Sequence, residues 1–190
     1  MSLHSGQTLS IELELDASDI AYFRERLDTA RKAWKFHDDD KVLLGAQAAV
    51  EEALNSNPPT YIAARIGMLQ ILIDMIKDHD WRLEGDDRKR IQQALAYFAE
   101  AKDMIPDHIP GIGFLDDAIM IELVALELQP EIEAYRDFCA NREDLAVGDA
   151  DAAPLERARE DLQSRMRRRR RRRARGAAES EVITSLFHTG

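Results

Sequence analysis

The chain has 190 residues, of which 45% are hydrophobic and 33% charged, and its formal net charge is −10. This length and composition predict one soluble globular domain of ordinary size with extensions. The single cysteine excludes an internal disulfide, and no uninterrupted apolar run reaches the ~18 residues that span a membrane.

The charge is distributed unevenly along the chain. Nine arginines and no acidic residue lie between Ser164 and Arg175, so the rest of the chain carries a net charge of −19. These arginines are Arg165, Arg167, Arg168, Arg169, Arg170, Arg171, Arg172, Arg173 and Arg175. The sequence therefore predicts an acidic body with a basic tail. The N-terminus lacks the basic and apolar regions of a secretion signal, so we expect a cytoplasmic protein.

Two short segments near the termini have the composition of strands. Residues 9–16 alternate apolar and acidic or polar side chains, and Val182 to Phe187 is rich in β-branched and apolar residues. Each is predicted as a possible short strand. A ribbon of only two strands is marginally stable, so pairing between them is weakly supported.

Helical patterns dominate from residue 18 to about residue 143, where apolar side chains recur at steps of three and four. The predicted starts are Ser18 as the cap of the first helix, Asp38 to Asp40, Asn57 to Thr60, Gly85 to Asp87, Ala118, and Pro130 in the first turn of the sixth. The predicted fold class is all-α, a compact bundle of about six helices around a central apolar helix. The fifth helix is apolar on most sides, so we expect it to be the central one.

The predicted organisation is an N-terminal extension (1–17), a helical domain (18–145), a linker (146–154) and a basic C-terminal helix or tail (155–190). Leu155, Ala158, Leu162 and Met166 give the basic helix a narrow apolar stripe that suits one partner helix. Gly176 is expected to end this helix. Because consecutive arginines repel each other, we expect the run Arg167 to Arg173 not to be stably helical without a bound anion.

The connector before the fifth helix, Lys102 to Asp117, contains two prolines, two glycines and four aspartates among large apolar residues. We expect an ordered, half-buried connector, since prolines fix φ and apolar side chains gain nothing in solvent. Asp103 to Asp117 reads DMIPDHIPGIGFLDD. It resembles the signature D-x-I-P-D-x-I-P-x-x-G-x-L-D-D of the YkvA-like family of domains of unknown function.

The resemblance extends over about residues 90 to 140, with Ala96 to Phe98 and Glu131 to Phe138 similar to longer bacterial members. Relatives often have proline two residues before the first aspartate, where this chain has Ala101, and the arginine run is not part of the family pattern. The resemblance implies a small helical domain, found in some membrane proteins, and no established reaction.

The carboxylates Asp103, Asp107, Asp116 and Asp117, beside His108, are candidate ligands of a hard cation. A metal-dependent enzyme built on this cluster is the alternative function. Structural roles explain the same residues: Asp116 at a helix N-cap, Asp117 in the first turn, and Asp107 in a turn between prolines. The sequence has no phosphate-binding glycine loop, nucleophile motif or paired cysteines, so an enzyme is disfavoured and no cofactor is predicted.

The basic tail is the predicted contact surface. Arginine binds phosphate bidentately and releases condensed counterions, so the first hypothesis is a scaffold or binding protein that contacts nucleic acid without sequence preference. An anionic membrane surface is the second hypothesis. The third is that the tail packs on the acidic body, either its own or that of a second copy in a homo-oligomer, or that it is only a solvated low-complexity run.

Overall fold

The computed structural model describes residues 15–34, 39–58, 60–99, 114–145 and 153–187, with the backbone alone for residues 39, 61, 143–145 and 177–187. Within these residues the chain forms seven helices and no strand. They are α1 (Ala17–Trp34), α2 (Asp39–Asn55), α3 (Thr60–Lys77), α4 (Gly85–Ala99), α5 (Leu115–Glu127), α6 (Gln129–Leu145) and α7 (Ala153–Phe187). The predicted all-α fold class is confirmed.

The first helix begins at Ala17, two residues earlier than a cap at Ser18 would place it. The Oδ1 of Asp16 accepts hydrogen bonds from the backbone N–H groups of Ser18 at 2.7 Å and Asp19 at 3.0 Å. These bonds make Asp16 the N-cap, so the prediction of Ser18 as the cap is wrong. The Ser18 hydroxyl also donates to Asp16, and this bond, followed by those from the backbone, holds the pKa of Asp16 below its ordinary value.

The starts of α2, α3, α4 and α6 agree with the turn and cap signals, whereas α5 starts at Leu115, three residues before the predicted Ala118. Helix α2 starts at Asp39, α3 at Thr60 and α4 at Gly85, and Pro130 is the second residue of α6. Gly85 has a φ of 57°, in the left-handed region that glycine occupies without steric cost.

The central helix is α3, which packs against α2, α4, α5 and α6. The expectation that the fifth helix is central is therefore wrong, because α5 packs against α1, α3 and α6 and keeps one side near solvent. That side carries Glu122 and Glu127, which form ion pairs with Arg65 at 3.3 Å and Arg31 at 2.6 Å. A fully central helix would bury both carboxylates at a large desolvation cost.

The C-terminal helix α7 packs along α6. It continues through Gly176 to Phe187, so Gly176 does not end it and residues 182–187 are not a strand. The periodicity of a short apolar run does not distinguish a strand from a helix. Here the run follows an existing helix, and extending a helix is easier than starting a new one. The other predicted strand, residues 9–16, lies outside the described residues except for its last two positions.

An aromatic cluster lies where the α3–α4 connection meets α6 and α7. The ring of Trp81 lies 5.1 Å from that of Phe138 and 5.7 Å from that of Tyr135, and Trp81 is fully buried. From α7, the amide of Gln163 donates a 2.7 Å hydrogen bond to the carbonyl oxygen of Trp81. This bond and the packing on α6 determine the rotation of α7 about its axis.

Candidate polyanion-binding surface

The apolar stripe of the basic helix is what docks α7 on the rest of the protein. Leu162 and Met166 are buried, belong to the same hydrophobic core as the other helices, and Leu155 packs against that core. The single partner helix that the stripe suits is α6 of the same chain. Because residues at steps of three and four share a side of a helix, this contact decides which arginines point inward.

Four of the nine arginines contact acidic or amide side chains of α4 and α6, and we call them the inner arginines. They are Arg167, which donates to Asp87 at 2.8 Å; Arg170, which donates to Asp87 at 2.7 Å and Glu131 at 3.0 Å; Arg169, which donates to Glu133 at 2.8 Å; and Arg173, which donates to Gln129 at 2.9 Å.

Two of the three acids beneath the inner arginines are buried. Glu131 is fully buried and Asp87 nearly so, and Glu131 Oε1 also lies 3.4 Å from Arg90 Nε. Burial alone would lower the pKa of Arg170, but the hydrogen bonds to Asp87 and Glu131 raise it. An isolated buried carboxylate is strongly unfavourable. The inner arginines that contact these acids therefore stabilise the fold by neutralising them.

The remaining five, which we call the outer arginines, are exposed. They are Arg165, Arg168, Arg171, Arg172 and Arg175. None of them makes a hydrogen bond or ion pair with the described residues. Their spacing of three and four residues places them together on the side of α7 that faces away from α6. The result is a stripe of uncompensated positive charge on an otherwise acidic protein.

The run Arg167 to Arg173 is helical throughout, whereas the sequence predicted that it would not be stably helical without a bound anion. Consecutive residues of a helix point about 100° apart, and this geometry sends the inner arginines to the acids of α4 and α6. Repulsion then remains only among the outer arginines, where water screens it.

The predicted aspartate cluster is described only in part. Asp103, Asp107 and His108 lie outside the described residues, whereas Asp116 and Asp117 lie in the first turn of α5. Helix α5 begins at Leu115, and its N-cap is Phe114 in the left-handed conformation with a φ of 64°. The N-cap prediction for Asp116 is therefore wrong, and the first-turn prediction for Asp117 is confirmed. The described residues contain no group of three potential metal ligands, and the metal hypothesis stays a prediction.

Sequence reasoning missed Asp87 and Glu131, although a signal for both was present. Each lies four residues before an apolar core residue of its own helix, Ile91 for Asp87 and Tyr135 for Glu131. An acidic residue in register with an apolar helical face predicts a buried charge that requires a partner. The identity of that partner depends on tertiary packing.

None of the helices in the described part of the chain is long and apolar enough to cross a membrane. Comparison with curated proteins and with solved structures gave no match. Residues 93–123 match the model of a family described as "Protein of unknown function (DUF1232)". The matched segment runs from within α4 into α5 and excludes α7. This segment is therefore similar to the DUF1232 family, which includes the YkvA-like proteins that the chain was predicted to resemble.

Proposed function

We propose that the protein binds polyanions through the outer arginines, and that nucleic acid bound without sequence preference is the principal polyanion. The observation that carries the proposal is the stripe Arg165 to Arg175, in which five exposed arginines make no ion pair with the described residues. Arg167, Arg169 and Arg170 are left out of the binding surface, because their charge is already balanced by Asp87, Glu131 and Glu133. Arg173 is left out because it lies on the inner side of α7, where it donates to Gln129.

The dimensions of the stripe suit a nucleic acid backbone. Arg175 lies ten positions after Arg165, which corresponds to about 15 Å along a helix. Each strand of duplex DNA carries one phosphate per ~3.4 Å of the duplex axis, so a stripe aligned with that axis covers about four or five phosphates of one strand. Five guanidinium groups over that distance are enough to contact each phosphate once.

The lack of sequence preference follows from the chemistry of the surface. The residues from Ala153 to Gly176 include no aromatic side chain on which a base could stack. Arginine contacts to phosphates position a protein on nucleic acid and carry no sequence information. A protein that binds in this way is expected where nucleic acid is abundant, in keeping with the predicted cytoplasmic location.

The test is the salt dependence of binding to short labelled duplexes of two unrelated sequences, followed by fluorescence anisotropy. With four or five phosphates contacted, log K should fall against log salt with a slope of about −4 between ~50 and ~200 mM salt. Replacing four outer arginines by glutamine (Arg165→Gln, Arg168→Gln, Arg172→Gln, Arg175→Gln) should reduce the slope to about −1, since each lost contact removes ~0.9.

The matched control removes the same charge from exposed positions on four other helices: Lys32→Gln, Lys41→Gln, Lys89→Gln and Arg136→Gln. This control should keep the steep salt dependence. A flat salt response of the intact protein, or an equal loss in the control, would show that the outer arginines are not the binding surface. Binding to vesicles of anionic lipid without binding to either duplex would show that the outer arginines bind a membrane surface and not nucleic acid.

A further inference from the structure

A second group of arginines surrounds a cavity on the opposite side of α7 from the outer arginines. The cavity has a volume of about 550 Å³ and is lined by residues of α1, α4, α5, α6 and α7. Its five arginines are Arg24, Arg31, Arg90, Arg170 and Arg173. A cavity of this volume is within the range that holds small molecules.

The lining carries more positive than negative charge, because only Asp28 and Glu127 accompany the five arginines. Glu127 is shared by Arg31 at 2.6 Å and Arg90 at 3.5 Å, and Asp28 lies 3.6 Å from Arg31. Arg24 makes no ion pair with the described residues. Of the hydrogen bonds described, the guanidinium group of Arg173 makes only the one to the neutral amide of Gln129. An anion would therefore find uncompensated charge at Arg24 and Arg173.

Two further arginines are held in place by acidic side chains. Arg170 uses only its Nη1 to contact Asp87 and Glu131, so its other nitrogens make no hydrogen bond with the described residues. Arg90 is held by Glu131, 3.4 Å from its Nε, and by Glu127, 3.5 Å from its Nη2. Buried carboxylates that fix a guanidinium group reduce the entropy that it loses when it binds a ligand.

The rest of the cavity wall is apolar. Leu27, Leu123, Leu126 and Pro130 line it, and Leu126 is about half exposed, at 51%. A bare inorganic anion would leave these side chains in contact with water. A ligand with an apolar part would cover them and gain the free energy of their burial.

We propose that this cavity binds a small organic phosphate, with its phosphoryl oxygens on Arg24, Arg90, Arg170 and Arg173 and its apolar part against Leu123, Leu126 and Pro130. Arginine is the side chain best suited to a phosphoryl group, because its planar fork donates two parallel hydrogen bonds. The site is separate from the outer arginines, so it stands whether or not the protein binds nucleic acid.

The test is isothermal titration calorimetry of the full chain with three probes: ATP, dihexanoyl phosphatidate and inorganic pyrophosphate. ATP and the phosphatidate distinguish a nucleoside from an acyl chain as the apolar part. We expect at least one of them to bind with a Kd below about 1 mM, and more tightly than pyrophosphate.

The pocket variant is Arg24→Gln with Arg173→Gln, since neither arginine neutralises an acid among the described residues and the fold should be retained. This variant should raise the Kd of the organic phosphate by about tenfold or more, as expected for the loss of charge-assisted hydrogen bonds. The control, Lys41→Gln with Arg136→Gln, removes the same charge from exposed positions of α2 and α6 that line neither the cavity nor the outer stripe, and it should change the Kd by less than about twofold.

Three results would overturn the proposal. They are the failure of both organic phosphates to bind the intact protein in this range, an equal loss of affinity in the pocket and control variants, and binding of pyrophosphate as tight as that of both organic phosphates. The first would mean that there is no site, the second that attraction is unspecific, and the third that the apolar wall takes no part.

Discussion

Asp78 shows at the scale of one residue how a connection between helices is held in place. It follows α3 directly, and its Oδ1 accepts hydrogen bonds from the backbone N–H groups of Asp80 at 2.9 Å and Trp81 at 3.0 Å. Its Oδ2 accepts from the Tyr135 hydroxyl at 3.0 Å and from Arg142 at 2.9 Å. One carboxylate thus closes the turn after α3 and ties it to α6.

These contacts change the ionisation of both partners. Burial alone would raise the pKa of Asp78, but the hydrogen bonds from Trp81 and Tyr135 and the charge of Arg142 bring it below its ordinary value. Burial, followed by the negative charge of Asp78, raises the pKa of Tyr135. Asp78 is therefore ionised and Tyr135 protonated at neutral pH.

We expect Asp78→Asn to lower the free energy of unfolding at pH 7 by about 1–3 kcal/mol, because hydrogen bonds to a charged acceptor are replaced by weaker ones. The folded-state pKa lies below the unfolded value of about 3.9, so the stabilisation is complete above that value and is lost as the pH falls through the folded-state pKa. Urea unfolding at pH 7 and at about pH 3 should therefore give a smaller difference between variant and wild type at the lower pH.

The neighbouring Asp80, which is more exposed and lies 3.3 Å from Arg142, supplies the control. Asp80→Asn should change the free energy of unfolding by less than about 1 kcal/mol, as expected for an exposed ion pair. A difference for Asp78→Asn that is the same at both pH values would contradict the role assigned to its charge.

At the scale of the element, α2 and α4 approach each other closely at Gly45. A Cβ atom at Gly45 would lie 2.9 Å from both the Cα and the Cβ of Ala99. Real Cβ atoms do not approach other atoms so closely, and the obstacle is backbone that cannot rotate away. Gly67, in the middle of α3, has no atom near its equivalent position.

These two glycines predict opposite effects of the same substitution. Gly45→Ala should destabilise the protein by about 1–3 kcal/mol, because α2 and α4 must separate to admit the methyl group. Gly67→Ala should stabilise it by up to about 1 kcal/mol, since alanine has the higher helix propensity. Thermal and urea unfolding of both variants measure these changes in stability. If Gly45→Ala stabilised the protein, α2 and α4 would not approach as closely as described.

At the scale of the whole molecule, α7 belongs to the same core as the family segment in α4 and α5. Leu162 and Met166 are part of one hydrophobic cluster that includes buried residues of α1 to α6. Together with the ion pairs of the inner arginines, they connect α7 to α4 and α6. We therefore expect α7 to unfold together with the other helices in one cooperative transition.

Met166→Ala should lower the free energy of unfolding by about 2–5 kcal/mol, the usual cost of truncating a fully buried side chain. The transition should stay single when it is followed by both far-UV circular dichroism and tryptophan fluorescence. Arg165→Ala, one residue away on the exposed side, should change stability by less than about 0.5 kcal/mol. Two separate transitions in the wild type would show that α7 is an independent unit.

The sequence by itself determined the all-α class, the starts of most helices and the resemblance to the family, because periodicity, caps and motifs are local properties of the chain. The sequence also predicted that Leu162 and Met166 would pack against a partner helix. Only the tertiary structure decided that α3 is the central helix, that α6 receives α7, and that the nine arginines divide into inner and outer sets. Burial and ion pairing involve residues far apart in sequence, such as Asp87 and Arg170. A local sequence pattern cannot identify both partners of such a pair.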